Sequence, residues 1–159
     1  MSAATRTIRC PNCQKYNRVP AAAQGVPKCG NCHRPLPWIA DADDAGFAEV
    51  AEQATIPVLV DLWATWCGPC RMVSPALEKV ATDLAGRIKL VKVDVDASPT
   101  LSRRFEVQAV PTLMVLDRGE VIARQAGAAP APALRQWVDR ALADRTSTTA
   151  GSPGSGGTP

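Results

Sequence analysis

The sequence predicts an α/β protein, a central sheet covered by helices on both faces, with a small cysteine-rich module at its N-terminus. Three observations lead there. Hydrophobic periodicity over residues 37–145 follows the order β-α-β-α-β-α-β-β-α, which builds a layered sheet. All six cysteines fall in C-x-x-C spacings: Cys10 and Cys13, Cys29 and Cys32, Cys67 and Cys70. Charge divides the chain in the same place. Residues 1–36 hold six basic side chains and no acidic one, although the 159-residue chain carries only +3. At 46% hydrophobic and 21% charged residues, the composition is that of a packed protein. No apolar run reaches the length of a membrane span, and Met1 to Asn12 contain no segment of signal-peptide type. The expected location is therefore the cytoplasm.

Each element has its own signal. Trp38-Ile39 starts a strand. Asp43 or Asp44 caps a helix that puts Phe47, Val50, Ala51 and Ala54 on one face. The β-branched run around Pro57-Val58-Leu59-Val60 predicts a buried strand over 56–63. Met72, Val73, Ala76, Leu77, Val80, Ala81 and Leu84 recur at helical spacing over 67–84, with Pro75 predicting a kink. A strand over 88–95 and a short helix near 99–105 follow. Strands 112–117 and 120–126 join through Asp117-Arg118-Gly119, a hairpin turn. Leu134, Trp137, Val138, Ala141 and Leu142 make the last amphipathic helix. Met72 and Met114 are expected as core filler. Residues 146–159, rich in Ser, Thr, Gly and Pro, read as a flexible tail.

The first two cysteine pairs read C-P-N-C and C-G-N-C, fifteen residues apart, a spacing that suits one zinc ion held by Cys10, Cys13, Cys29 and Cys32. Pro11, Asn12, Gly30 and Asn31 are turn formers that fit two ligand-bearing knuckles. Residues 1–36 hold too few apolar side chains for a core of their own, so a metal would supply the missing folding energy. His33 beside Cys32 reads as a surface residue, because four cysteines complete the set. The basic charge raises a nucleic-acid or protein adaptor as a competing function. With Tyr16 alone for aromatic interleaving, a nucleic-acid partner is not expected, and the charge reads as a solvated face.

The third pair, in Trp66-Cys67-Gly68-Pro69-Cys70, sits where a buried strand meets a helix. Unpaired amides and the helix dipole there stabilise a thiolate, lowering a thiol pKa from ~8.5 toward neutrality. Cys67 is the expected nucleophile. Cys70, one turn on, attacks only after a mixed disulfide has formed. Gly68 admits a partner chain, and Pro69 fixes the first turn without needing an amide hydrogen.

W-C-G-P-C after a V-D-x-W strand resembles the active-site signature of the thioredoxin family, along residues 37–145. With the four-cysteine module the chain resembles the zinc-containing, cytoplasmic thioredoxin 2 group of bacteria. The resemblance implies a thioredoxin fold, a mixed sheet flanked by helices, with a zinc-ribbon-like module over 1–36. It implies that Asp61 is a buried acid beneath the site and Lys92 its partner. Burial would raise the Asp61 pKa, fitting it to take the Cys70 proton through water. Periodicity alone leaves Asp61 open as a surface-facing carboxylate. Val110-Pro111-Thr112 resembles the family's cis-proline loop, and Gly119 and Gly127 its later glycines. A substrate-binding surface would then come from Trp66, Gly68, Pro69, Val110, Pro111, Gly127 and Ala128. The implied activity is protein disulfide reduction, with disulfide-containing proteins as substrates and NADPH-dependent thioredoxin reductase as electron donor. No organic cofactor and no membrane partner are expected.

Overall fold

Alternating burial pairs the first two strands. In the computed structural model, which describes residues 4–155 and side chains as far as Arg145, β1 (Thr5–Arg9) runs antiparallel to β2 (Tyr16–Pro20). Ile8 and Val19 turn inward, and the first cysteine knuckle forms the hairpin's turn.

The remaining strands form one sheet in the order β3-β5-β4-β6-β7. These are β3 (Trp38–Asp41), β4 (Val58–Trp63), β5 (Lys89–Asp94), β6 (Thr112–Asp117) and β7 (Glu120–Ala126). β3, β5 and β4 are parallel, whereas β6 and β7 join antiparallel, so the sheet is mixed. The near-continuous burial of β4, β5 and β6 follows from apolar layers on both faces. One layer gathers Phe47, Val50, Val60, Val91, Val93 and Phe105. The other packs Leu59, Leu90 and Leu113 against α1 (Gly68–Asp83) and α3 (Ala131–Ser155). α2 (Pro99–Arg104) is short, and Asp44 caps it by accepting the amides of Thr100 and Leu101.

Three expectations change. The helix expected after Asp43 is a turn followed by one stretch of π-helix, Ala48–Glu52, in which the Gln53 amide bonds to the Ala48 carbonyl. Phe47, Val50, Ala51 and Ala54 are buried as the periodicity required, so the face is right and the winding is wider. Met72 is 77% exposed, because Cys70, Val73, Leu77, Val80 and Ala81 already form the buried stripe of α1; Met114 is buried. The backbone of α3 runs to Ser155, ten residues into the expected tail, since extending an established helix needs no new nucleus. The rest of the tail, 156–159, lies outside the described residues.

The module's small core does not stop at residue 36. Ile8, Cys10, Val19, Cys29 and Leu36 pack with Trp38 of β3 and with Ile56. No described helix is long and apolar enough to cross a membrane.

Candidate functional site

β4 ends at Trp63, and the chain turns through Ala64, Thr65 and Trp66 into α1. Cys67 is the N-cap of that helix, in extended conformation, and its Sγ accepts the Cys70 amide at 3.1 Å. Pro69 occupies the first turn, where its missing N–H removes no hydrogen bond. Cys67 and Cys70 are joined by a disulfide with Cα atoms 5.3 Å apart. Both are nearly buried, packed with Ala64, Trp63, Val95 and Val110.

The loop facing the disulfide holds the Val110–Pro111 peptide in the cis form. Cys67 Sγ lies 3.6 Å from the Val110 carbonyl oxygen. The Gly127 amide donates to the Pro111 carbonyl at 2.9 Å. Gly127 has φ of 98°, a conformation that favours glycine, and together with Ala128 it is exposed at the end of β7. Trp66 is 67% exposed, and Gly68 and Pro69 are exposed beside it. Val110 is half-buried and Pro111 buried.

Asp61 is 1% exposed on β4, and its Oδ1 has no hydrogen-bond partner. It shares a cavity of about 120 Å³ with Trp63, Cys70, Arg71, Ser74 and Lys92. Burial, the largest influence, raises its carboxyl to about 6; Lys92 pulls it down and Glu78 pushes it up. The expected Asp61–Lys92 pairing takes another form. The two residues are opposed across β4 and β5, but Lys92 Nζ donates to Ser74 Oγ at 2.6 Å and to Glu78 Oε2 at 3.2 Å. Glu78, on α1, is the carboxylate within ion-pair distance of this lysine.

Three contributors escaped the sequence reading. Ser74 and Glu78 lie four and eight residues beyond Cys70 on one stripe of α1, a spacing that could have found them. Asp96 accepts the Trp66 indole N–H at 2.8 Å and so holds that exposed ring; nothing local to the motif points to it.

The second cluster is the four-cysteine module. Both knuckles fold alike. The Cys10 amide donates to the Lys15 carbonyl and the Gln14 amide to the Cys10 carbonyl; Cys29, Arg34 and His33 repeat the pattern. Gln14 and His33 take φ of 70° and 65° at equivalent positions. Cys10 and Cys32 sulfurs are 3.6 Å apart, as are those of Cys13 and Cys29, and all four lie within 4.8 Å of one another. Zinc–thiolate bonds of ~2.3 Å in a tetrahedron place sulfurs ~3.8 Å apart, so the donor set fits that ion. The Cys32 amide leads the hydrogen bonds that lower the Cys29 thiol to about 6, joined by the Asn31 amide and the Asn17 side chain. Cys32 is also lowered, chiefly by the Arg34 amide. In Cys10 the Cys13 amide pulls down, but burial and the neighbouring thiols prevail and the thiol is raised. Four close thiols cannot all ionise without a cation among them. Asn17, which also accepts the Gly30 amide, is a supporting residue that sequence reading missed. His33 is exposed and outside the cluster.

The family profile described as Thioredoxin matches residues 38–140. Thioredoxin C-3 of Corynebacterium nephridii is 38% identical over 139 residues, 85% of this chain and 94% of its own. A match that long reaches outside 38–140 and takes in part of the N-terminal module. Thioredoxin of Mycobacterium bovis is 46% identical over 97 residues, 60% of this chain and 84% of its own. Thioredoxin of Haemophilus influenzae is 40% identical over 98 residues, 62% of this chain and 92% of its own.

Proposed function

This chain belongs to the thioredoxin family and is a thiol–disulfide oxidoreductase; from that premise we propose that it is a cytoplasmic protein-disulfide reductase of the zinc-containing thioredoxin 2 type. The observation that carries the reading is the Cys67–Cys70 pair at the start of α1, facing the Val110 carbonyl and lying over buried Asp61.

In the reduced protein the Cys67 thiolate attacks one sulfur of a substrate disulfide. A mixed disulfide forms and the other substrate sulfur leaves as a thiolate. Asp61 accepts the Cys70 proton, and the Cys70 thiolate attacks Cys67 Sγ. The Cys67–Cys70 bond closes and the substrate departs as a dithiol. Trp66, Gly68, Pro69, Val110, Pro111, Gly127 and Ala128 form the surface that receives the substrate. Thioredoxins in general act on disulfide substrates and are recharged by thioredoxin reductase, the electron donor this reading assigns.

Insulin reduction by the reduced protein tests the assignment. Cys67→Ser should abolish it, and Cys70→Ser should trap a covalent substrate complex on a non-reducing gel. An active Cys67→Ser protein would sink the reading.

The N-terminal module is read as a structural zinc site, Cys10, Cys13, Cys29 and Cys32 being the ligands. The S···S separations support it. Peroxide would oxidise the four thiolates to disulfides and be reduced to water, which removes the ligands and makes the module an oxidation sensor. A zinc-sensitive dye during peroxide titration checks this; metal retained after full thiol oxidation would refute it.

A further inference from the structure

Lys89, at the start of β5, is a buried cation, only 1% exposed. A buried ammonium has lost its water and needs other ligands. No described carboxylate lies within ion-pair distance of it. Glu49, on the π-helical stretch, is the acid that acts on it through space. Its Nζ donates instead to the carbonyls of Ala21 and Val50, the latter at 2.6 Å, and sits 4.1 Å from the centre of the Trp38 ring. The Trp38 indole N–H donates to the Pro20 carbonyl at 3.0 Å. Two successive carbonyls of the N-terminal module, Pro20 and Ala21, are thus gripped by two side chains of the central sheet.

The seated module also walls one side of an open cleft of about 520 Å³. Ala4 and Ala21 line one side, and Trp63, Lys92, Asp94 and Ser98 line another. Trp63 and Lys92 line the 120 Å³ cavity of Asp61 and Cys70 as well. Trp63 and Lys92 are thus common to the cleft beside the module and to the cavity of the acid.

We propose that Lys89 is a positioning residue: it latches the four-cysteine module onto the sheet, and the latched module limits the water that reaches the Asp61 side of the redox site. The latch stands on geometry alone, whereas its second consequence rests on the redox reading above. Asp61 is faced by Lys92 from β5 and by Glu78, Cys70 and Arg71 from α1, and burial is the largest influence on it. Water admitted past Trp63 and Lys92 would relieve that burial and let the carboxyl fall toward its ordinary range.

The test uses the full-length, zinc-loaded, oxidised protein. Lys89→Met keeps the side chain's length but removes the charge and the donors, leaving the Ala21 and Val50 carbonyls unpaired. Trp38→Phe keeps a ring and loses the bond to Pro20, and serves the same readouts should Lys89→Met not fold. Amide hydrogen exchange across residues 19–24 should quicken by about tenfold or more, with zinc content unchanged. The Asp61 titration midpoint, followed by carboxyl NMR, should fall by about one unit from its value of about 6. Unchanged exchange overturns the latch. Faster exchange with an unmoved Asp61 midpoint overturns its effect on the redox site. Neither readout is turnover, so failure of the reductase reading would show separately, as wild-type protein that does not reduce insulin.

Discussion

Replacing Asp61 with Asn should stabilise the protein and slow it, and the stability gain should depend on pH. Burial raises this carboxyl from 3.8 to about 6 in the folded chain. A shift of about two units corresponds to ~3 kcal/mol of penalty on the charged form, since each unit is worth ~1.4 kcal/mol. Above pH 6 the folded protein bears that penalty in full. Between pH 6 and 3.8 the folded state holds more protons than the unfolded chain, so stability rises as pH falls. Below 3.8 both states are protonated and the penalty is gone. An uncharged Asn imitates the protonated acid at every pH. Urea unfolding of oxidised wild type and Asp61→Asn between pH 3.5 and 8 measures the difference. The variant should gain up to ~3 kcal/mol at pH 7.5 and close to nothing at the acidic end. A gain of equal size at both ends would mean that packing, not ionisation, separates the two proteins. Insulin reduction at pH 7 should fall in the same variant, because Cys70 loses its proton acceptor.

Other expectations follow from named contacts. Lys89 is lowered from 10.5 to about 8 by burial, so between those values the unfolded chain holds the extra proton and stability should rise with pH; urea midpoints at pH 7.5, 9 and 10.5 should show a rise that Lys89→Met abolishes. Leu77→Ala, in the fully buried stripe of α1, should cost ~2–5 kcal/mol in the same assay. Chelation of zinc from the reduced protein should collapse amide protection in β1 and β2 while leaving β4 and β5 protected, as hydrogen exchange would show. Glu78→Gln removes the charged acceptor of Lys92 and the acid that pushes Asp61 up, so the Asp61 midpoint should move lower, as carboxyl NMR would record.

The strands and the two long helices were legible because apolar residues repeat with periods that backbone geometry imposes. The cysteine spacings were legible because a bidentate turn and a helix-capping dithiol both act within four residues. Contacts made across the fold were not. Asp96 meets Trp66 from thirty positions away, and Asp44 caps a helix that begins 55 residues later. Lys89 sits among apolar residues of β5 with no local sign that Ala21 and Val50 will accept its protons. The π-helical stretch shows a different limit. Phe47, Val50, Ala51 and Ala54 fix which face is buried, but that pattern does not separate one helical winding from its neighbour.

The repeated knuckles have a consequence for how a metal ion would come and go. Each closes on its own backbone bonds, with Gln14 and His33 in the same left-handed conformation, so each offers a two-toothed claw of the same shape. The claws come from separate stretches of chain, one at the hairpin turn and one after it. An ion could therefore be released by one claw while the other keeps hold, and an incoming acceptor with two thiols of its own could take over the vacated half. Exchange by such a relay avoids a bare ion at every stage. Its rate would be set by how easily one claw swings from the other, not by the strength of four bonds broken together.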